Sequence, residues 1–404
     1  MYKIYYSQNS FQRGGKMRKL NILFTFSLCL TSLFIPTVLS LADDSIANYV
    51  LNQEVTKSTN EEAPVEKQPS EDELKMMFEP ILEEIITNRN ACIKALDDES
   101  LKASYNMNIK VSKWAYESEA QKIKYLKNWC DKQAVQFDKI ESTIKVRKVK
   151  EKEKDLFGIL CFNSTAFTYS YVDTPDVPNT FYLGTSHYMN LKKDGDRYII
   201  TKEWYTDPFA DSLHIDTLKS EEMRKYILNH QAPDYTMDAR TQKAMDYAHQ
   251  YCGVSTIPEE NFKYNKAYKN FNPDGGDCAN FASQILHEGA GFKKNGTWNY
   301  KDRAGTKAWV NAQAFKNYMV GSGRAGYIAK GTYQQIYKEA YKMRPGDFVA
   351  YEKKGKITHI STITGLDSKG YPLVTCHNTD RLLVPYDLGW SDKGIRFHLI
   401  NVYY

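Results

Sequence analysis

The 404-residue sequence has little cysteine and no CxxC pair: Cys29, Cys92, Cys130, Cys161, Cys252, Cys278 and Cys376 stand far apart. This spacing argues against a dense disulfide scaffold and against a zinc site, although one or two bridges stay open. No internal repeat is visible. Acidic residues are absent from positions 1–42, where Lys3, Arg13, Lys16, Arg18 and Lys19 all lie. Without that stretch Lys plus Arg falls from 54 to 49, equal to the 49 Asp plus Glu. The rest of the chain therefore offers no global field for nucleic acid or anionic lipid.

What is present at the start is a leader pattern. After Met17, Arg18 and Lys19 precede an apolar run that closes on the small residues Ser40 and Ala42. That is the layout of a secretory signal peptide cleaved after Ala42. The expected product is secreted or bound to the cell envelope, with no membrane span once the leader (residues 1–42) is gone. Residues 43–69 are polar and acidic with two prolines, and read as a disordered linker. About 360 residues follow the leader, enough for two domains that each bury their own core.

At Ser70 the pattern turns helical. Ser70 and Glu73 fit a capping box, and Leu74, Met77, Phe78, Ile81, Leu82 and Ile85 follow at three- and four-residue steps, with Pro80 a place to kink or restart. A second helix is expected over about 113–131. Alternating stretches then mark strands at Ile144 and Val146, at Phe167, Tyr169 and Tyr171, and on both sides of an Asp194-Gly195 hairpin turn. Helices followed by an antiparallel meander make an α+β domain over residues 70–210, whose element order resembles the cystatin-like or NTF2-like fold. Its many tyrosines read as sheet packing. A connector at 211–236 leads to a second domain at 237–404, helical at first and strand-rich at the end.

The chemistry concentrates in that second domain. In "NPDGGDCANFASQILHEGAG" the apolar positions fall at helical spacing from Cys278 on, Asp277 is placed to N-cap the helix, and Gly275 and Gly276 allow a sharp entry. Unpaired amides at a helix start favour a thiolate, the nucleophilic form of cysteine. No GK[ST] follows the two glycines, so a phosphate cradle is discarded. A thiolate catalyst needs an imidazole to exchange its proton. His287 points to the opposite side of the helix, His249 sits on another helix, and His398 lies in the last strand without a polar companion. His359, in the strand "KITHISTITG", is the best candidate base. The next strand ends in "TCHNTD", where His377 shares a face with Thr375 and Leu373 and stands as the third residue, with Asn378 on the other face.

The segments "DCANFASQILHEGA", "RPGDFVAYEKKGKITHISTITG" and "TCHNTDR" together resemble the putative amidase domain family of secreted bacterial proteins, across about residues 237–404. That family is similar to the papain-like hydrolases with NlpC-type and CHAP domains. The resemblance implies a papain-like α+β domain with Cys278 as nucleophile, His359 as base and His377 as third residue. Asn378 and Asp380 stand as alternatives for the third position. The backbone amide of Cys278, next to Asp277, would donate to an oxyanion, with Tyr264, Asn265 or Tyr268 supplying a second donor. The expected function is hydrolysis of an amide bond in cell-wall peptide through a thioester, without metal or organic cofactor. The rival is a non-catalytic envelope-binding protein that uses the same cleft for recognition.

Overall fold

A computed structural model describes residues 69–210, 212, 221–390 and 394–404. The expected leader, nearly all of the linker and part of the 211–236 connector lie outside the described residues. Among the described residues no helix is long and apolar enough to cross a membrane. Nor do three or more His, Cys, Asp or Glu side chains gather where they could hold a metal ion.

Helix α1 runs Glu71–Ala95 and starts where the sequence places it: Ser70 Oγ accepts from Glu73 N, and the Glu73 carboxylate accepts from Ser70 N at 2.7 Å. Leu74, Phe78, Leu82, Ile85, Ile86 and Ile93 form its buried stripe. Met77, expected in that stripe, is exposed instead. Pro80 neither ends nor restarts the helix, because it sits on the exposed side, where water can serve the carbonyl it leaves unpaired. Helix α2, Lys110–Gln133, is longer than its apolar pattern and ends with Ala134 in the left-handed region at φ 61°. Four antiparallel strands follow: β1 Val135–Glu153, β2 Leu156–Tyr171, β3 Thr174–Asp194 and β4 Arg197–Tyr205. The β3–β4 loop is Gly195-Asp196, one residue later than the expected turn, since Asp194 pairs with Arg197. Gly195 takes φ 63°, which a two-residue hairpin demands.

The second half contains α3 Glu221–Asn229, α4 Ala239–Tyr251, α5 Cys278–Gln284, α6 Ala312–Gly321, β5 Ala325–Gly331 and α7 Tyr333–Ala340. Strands β6 Phe348–Lys353, β7 Lys356–Leu366, β8 Pro372–Cys376, β9 Asp380–Pro385 and β10 Ile395–Val402 close the chain. Gly321, Gly323 and Gly326 have GxGxxG spacing, but they lead from the end of α6 into β5. That is the reverse of the strand-to-helix order a dinucleotide cradle needs.

These ten strands belong to one sheet, in the order β1-β2-β3-β9-β8-β7-β6-β10-β5 with β4 beside β3, and a separate short ladder pairs Tyr300–Lys301 with Ala304–Gly305. The join is antiparallel pairing of Tyr182–Gly184 on β3 with Asp380–Leu382 on β9. The near-continuous apolar run of β6 reflects burial of both sheet faces. Val349 and Tyr351 enter the core shared with α1 and α2, whereas Phe348 and Ala350 enter the core around α5, Trp298, Trp309 and Phe315.

Polar contacts reinforce the join. Tyr169 and Tyr171 donate to Asp367 Oδ2 at 3.0 and 2.6 Å, so these strand tyrosines tether the second half as well as packing the first. Arg381 donates to Pro208 O and Leu388 O, and Gly389 N donates to Tyr125 Oη. Lys132 on α2 forms a buried ion pair with Asp387 at 2.5 Å, and Tyr371 donates to the same carboxylate at 2.8 Å. Burial disfavours the charge on Lys132 and Asp387 opposes that effect, so the lysine stays below its ordinary pKa. Removing one partner of such a pair strands a charge. D387A should therefore cost about 3–5 kcal/mol in urea unfolding, and the apolar double replacement K132M/D387L should cost clearly less. A single-variant loss below ~1 kcal/mol would show that the pair does not hold the halves together.

Candidate active site

Helix α5 is short and entirely buried, and it passes directly into a π-helical turn at Ile285–Gly289. Asp277 takes the N-cap position, but its side chain does not cap the helix backbone. Its carboxylate is spent elsewhere. Oδ1 accepts from Phe271 N and Asn280 Nδ2, both at 2.9 Å, and Oδ2 lies 2.5 Å from His377 Nδ1. The backbone N of Asp277 donates to Asn378 Oδ1 at 2.5 Å. One buried aspartate thus ties the start of helix α5 to the segment before it and to the turn after β8. Gly276 is required there: its φ is 135°, and a Cβ would fall 2.3 Å from Asn378 Nδ2.

Cys278 is a free thiol and only 5% exposed. Burial pushes it up to about 12, against the opposing pull of backbone hydrogen bonds at Ile360 and Ala279. The expectation of a thiolate favoured by the helix start is therefore reversed, because desolvation outweighs the few amides of a two-turn helix. Cys278 and Ile360 nevertheless belong to one buried cluster, in which α5 packs on β7.

His359 pairs across the sheet with Tyr351, and its ring stacks on Trp390 with centroids 4.9 Å apart and planes 22° apart. Nε2 lies 3.3 Å from Cys376 Sγ. Burial, helped by the Arg381 charge, lowers the imidazole to about 3. Thiol and imidazole are thus both uncharged at rest.

His377, expected beside His359, is directed elsewhere: its ring nitrogens meet Asp277 and, at 2.8 Å, Tyr251 O. The ring is stacked between Phe281 and Tyr264, at 3.8 and 4.3 Å. The physical reason is local. Strand β8 ends at Cys376, a bulge separates Val374 from Cys376, and Asn378 and Thr379 both take φ 73°. Alternation counted from Leu373 therefore fails before it reaches His377.

Asp380 lies under Tyr264, whose hydroxyl donates to it at 2.5 Å, and burial lifts its carboxyl to about 6. Gly253, at φ 93°, makes room for that carboxylate, since a Cβ there would lie 2.1 Å from Oδ2. The Tyr264 donor is thus committed to Asp380. Asn265 donates to Tyr247 Oη at 2.9 Å, and Tyr268 donates to Glu288 at 2.5 Å, so these side chains serve the loop before α5. His398 does have polar companions, Glu352 at 2.8 Å and Tyr327 at 3.3 Å.

Sequence reasoning missed Cys376, Trp390 and Arg381. Cys376 was legible as the last strand residue before two turn residues, once the strand is ended there. Trp390 is separated from His359 by thirty residues and two strands, and no local pattern connects them.

The Asp277–His377 pair has a pH signature. Burial works against charge on His377, but the hydrogen bond and charge of Asp277, with Asp380 behind, outweigh it and raise the imidazole above its ordinary value. A raised folded-state value means stability that is complete below the unfolded value of about 6.5 and is lost as pH climbs through the folded one. H377Q should therefore cost about 3–5 kcal/mol at mildly acidic pH and less in alkaline solution, read by urea unfolding at both. A larger cost on the alkaline side would contradict this pairing.

With the geometry in place, comparison with known proteins is informative mainly for the second half. Uncharacterized protein YhbB of Bacillus subtilis is 29% identical over 248 residues, which cover 58% of this chain and 76% of that protein. Uncharacterized protein YjcM of the same organism is 33% identical over 171 residues, 39% of this chain and 36% of that protein. Among solved structures, a putative scytalone dehydratase from Novosphingobium aromaticivorans aligns with TM-score 0.23 and 8% identity, over 32% of this chain and 83% of its own. An NTF-2 like protein from Shewanella oneidensis aligns with TM-score 0.21 and 14% identity, over 32% and 98%. Residues 238–400, which hold Cys278, His359, Cys376 and His377, match the family described as the putative amidase domain.

Proposed function

We propose that the protein is an exported cysteine amidase that cleaves an amide bond in cell-wall peptide. The observation that carries this reading is the packing of helix α5, with Cys278 as its first residue, against β7, the strand that carries His359. The match of residues 238–400 to the putative amidase domain family supports the reaction class. The leader pattern before Ala42 supports export, and the papain-like description of the second half and the cystatin- or NTF2-like description of the first belong to the same proposal.

In this mechanism Cys278 attacks the carbonyl carbon while His359 takes the thiol proton. Because both groups are neutral at rest, proton transfer accompanies attack instead of preceding it. His359 then protonates the departing amine as the C–N bond breaks, leaving a thioester. Water attacks the thioester, returning its proton through His359 to the Cys278 sulfur and releasing the acid. The Asp277–His377 pair holds the helix start in place throughout. No metal is called on in any step.

The near-complete burial of Cys278 favours one other reading, a non-catalytic envelope-binding protein. The two readings separate in one assay. Protein lacking residues 1–42 should release new amines from purified cell-wall peptides, and C278S and H359A should each lower that release by at least ~10²-fold while keeping wall binding. Equal wall binding by all three proteins with no amine release would instead establish the binding module, and full activity of C278S would defeat the mechanism.

A further inference from the structure

We infer that Cys376 is the positioning residue for His359: its sulfur accepts a hydrogen bond from Nε2–H and so fixes the imidazole in the tautomer whose Nδ1 is bare. This rests on the cysteine-amidase reading of Cys278 and His359 and adds to it the group that orients the base. The geometry is direct. His359 Nε2 and Cys376 Sγ are 3.3 Å apart, both residues are almost fully buried, and Cys376 is the last residue of the strand that returns beside β7. The residue at that place in the sheet is the one that can touch the ring. His377, one position later, has already turned toward Asp277.

The proton inventory follows from that contact. An imidazole that accepts the Cys278 proton needs one nitrogen without hydrogen, and the nitrogen held by Cys376 is Nε2. In the inferred arrangement the proton of the neutral ring sits on Nε2, donated to the sulfur, which leaves Nδ1 to receive the Cys278 proton. The ring has little freedom to rotate away. Trp390 stacks on one face, and the Trp390 indole stacks in turn on Tyr351 with centroids 4.5 Å apart. Arg381 lies 6.0 Å over the same indole and discourages a second proton on the ring. Stacking sets the plane of the imidazole, and the sulfur sets which edge points where. A thiol is a weak partner compared with a carboxylate or amide, but in a dry site a weak acceptor suffices to choose between two nearly degenerate tautomers.

The test reads the tautomer directly. In protein labelled with nitrogen-15 at histidine, with the His359 signals assigned by their loss in H359Q, the wild type should show a protonated Nε2 and a bare Nδ1 near neutral pH. C376A should show a mixture of tautomers, and C376S, which keeps an acceptor, should restore the single form. With cell-wall peptide as probe, C376A should lose about 10–100-fold in kcat with KM within about twofold, and C376S should recover most of it. A wild-type ring protonated on Nδ1 would overturn the inference, as would a C376A ring that keeps the single Nε2–H tautomer. If the tautomers behave as stated but the wild type cleaves nothing, the amidase reading fails and the role of Cys376 in fixing the ring stands.

Discussion

The buried carboxylate of Asp277 is the constraint around which the candidate site is organised. It stands one residue before Cys278, gives up the ordinary capping bond to the helix, and instead gathers Phe271, Asn280 and His377. A helix of two turns cannot hold its own first residue in place by backbone bonding alone, since its first amides are unpaired. Asp277 supplies the rigidity from outside, and the flat stack of Phe281, His377 and Tyr264 keeps water away from the pair. The position of the sulfur is thus set by side chains separated by about one hundred residues in sequence.

A second consequence of burial is that charge is deferred. Cys278 rises to about 12 and His359 falls to about 3, so the site stores a neutral thiol and a neutral ring instead of an ion pair. Separated charges need water or aligned dipoles to stabilise them. Here the rings beside His359 are those of Trp390 and Tyr351. In the proposed mechanism, charge would develop on this pair only as an incoming carbonyl provides somewhere for it to go.

Much of this was legible in the sequence where one period ran without interruption. The capping box at Ser70, the stripe of α1 and the alternation of β2 required only local physics. Cys278 and His359 were visible as candidates on the same local ground, a thiol opening an amphipathic stretch and a histidine within a strand. The errors occur where a period is broken by backbone geometry. The bulge at Val374–Cys376 and the paired left-handed residues Asn378 and Thr379 moved the partner of His359 from His377 to Cys376. Long-range neighbours such as Trp390 and Arg381 left no periodic trace, since their placement depends on which strands meet.

The meeting of β3 and β9 has a further consequence for the chain as a material object. Strand β3 is twenty-one residues long, and it offers one stretch of its free edge to β4 and a shorter stretch to β9. Each half closes the other's open edge, which is also what an intermolecular strand exchange would do. A chain nicked in the connector would retain two complementary edges joined by Tyr182–Gly184 and Asp380–Leu382 and by the Lys132–Asp387 pair, and so has the means to behave as a fragment-complementation system.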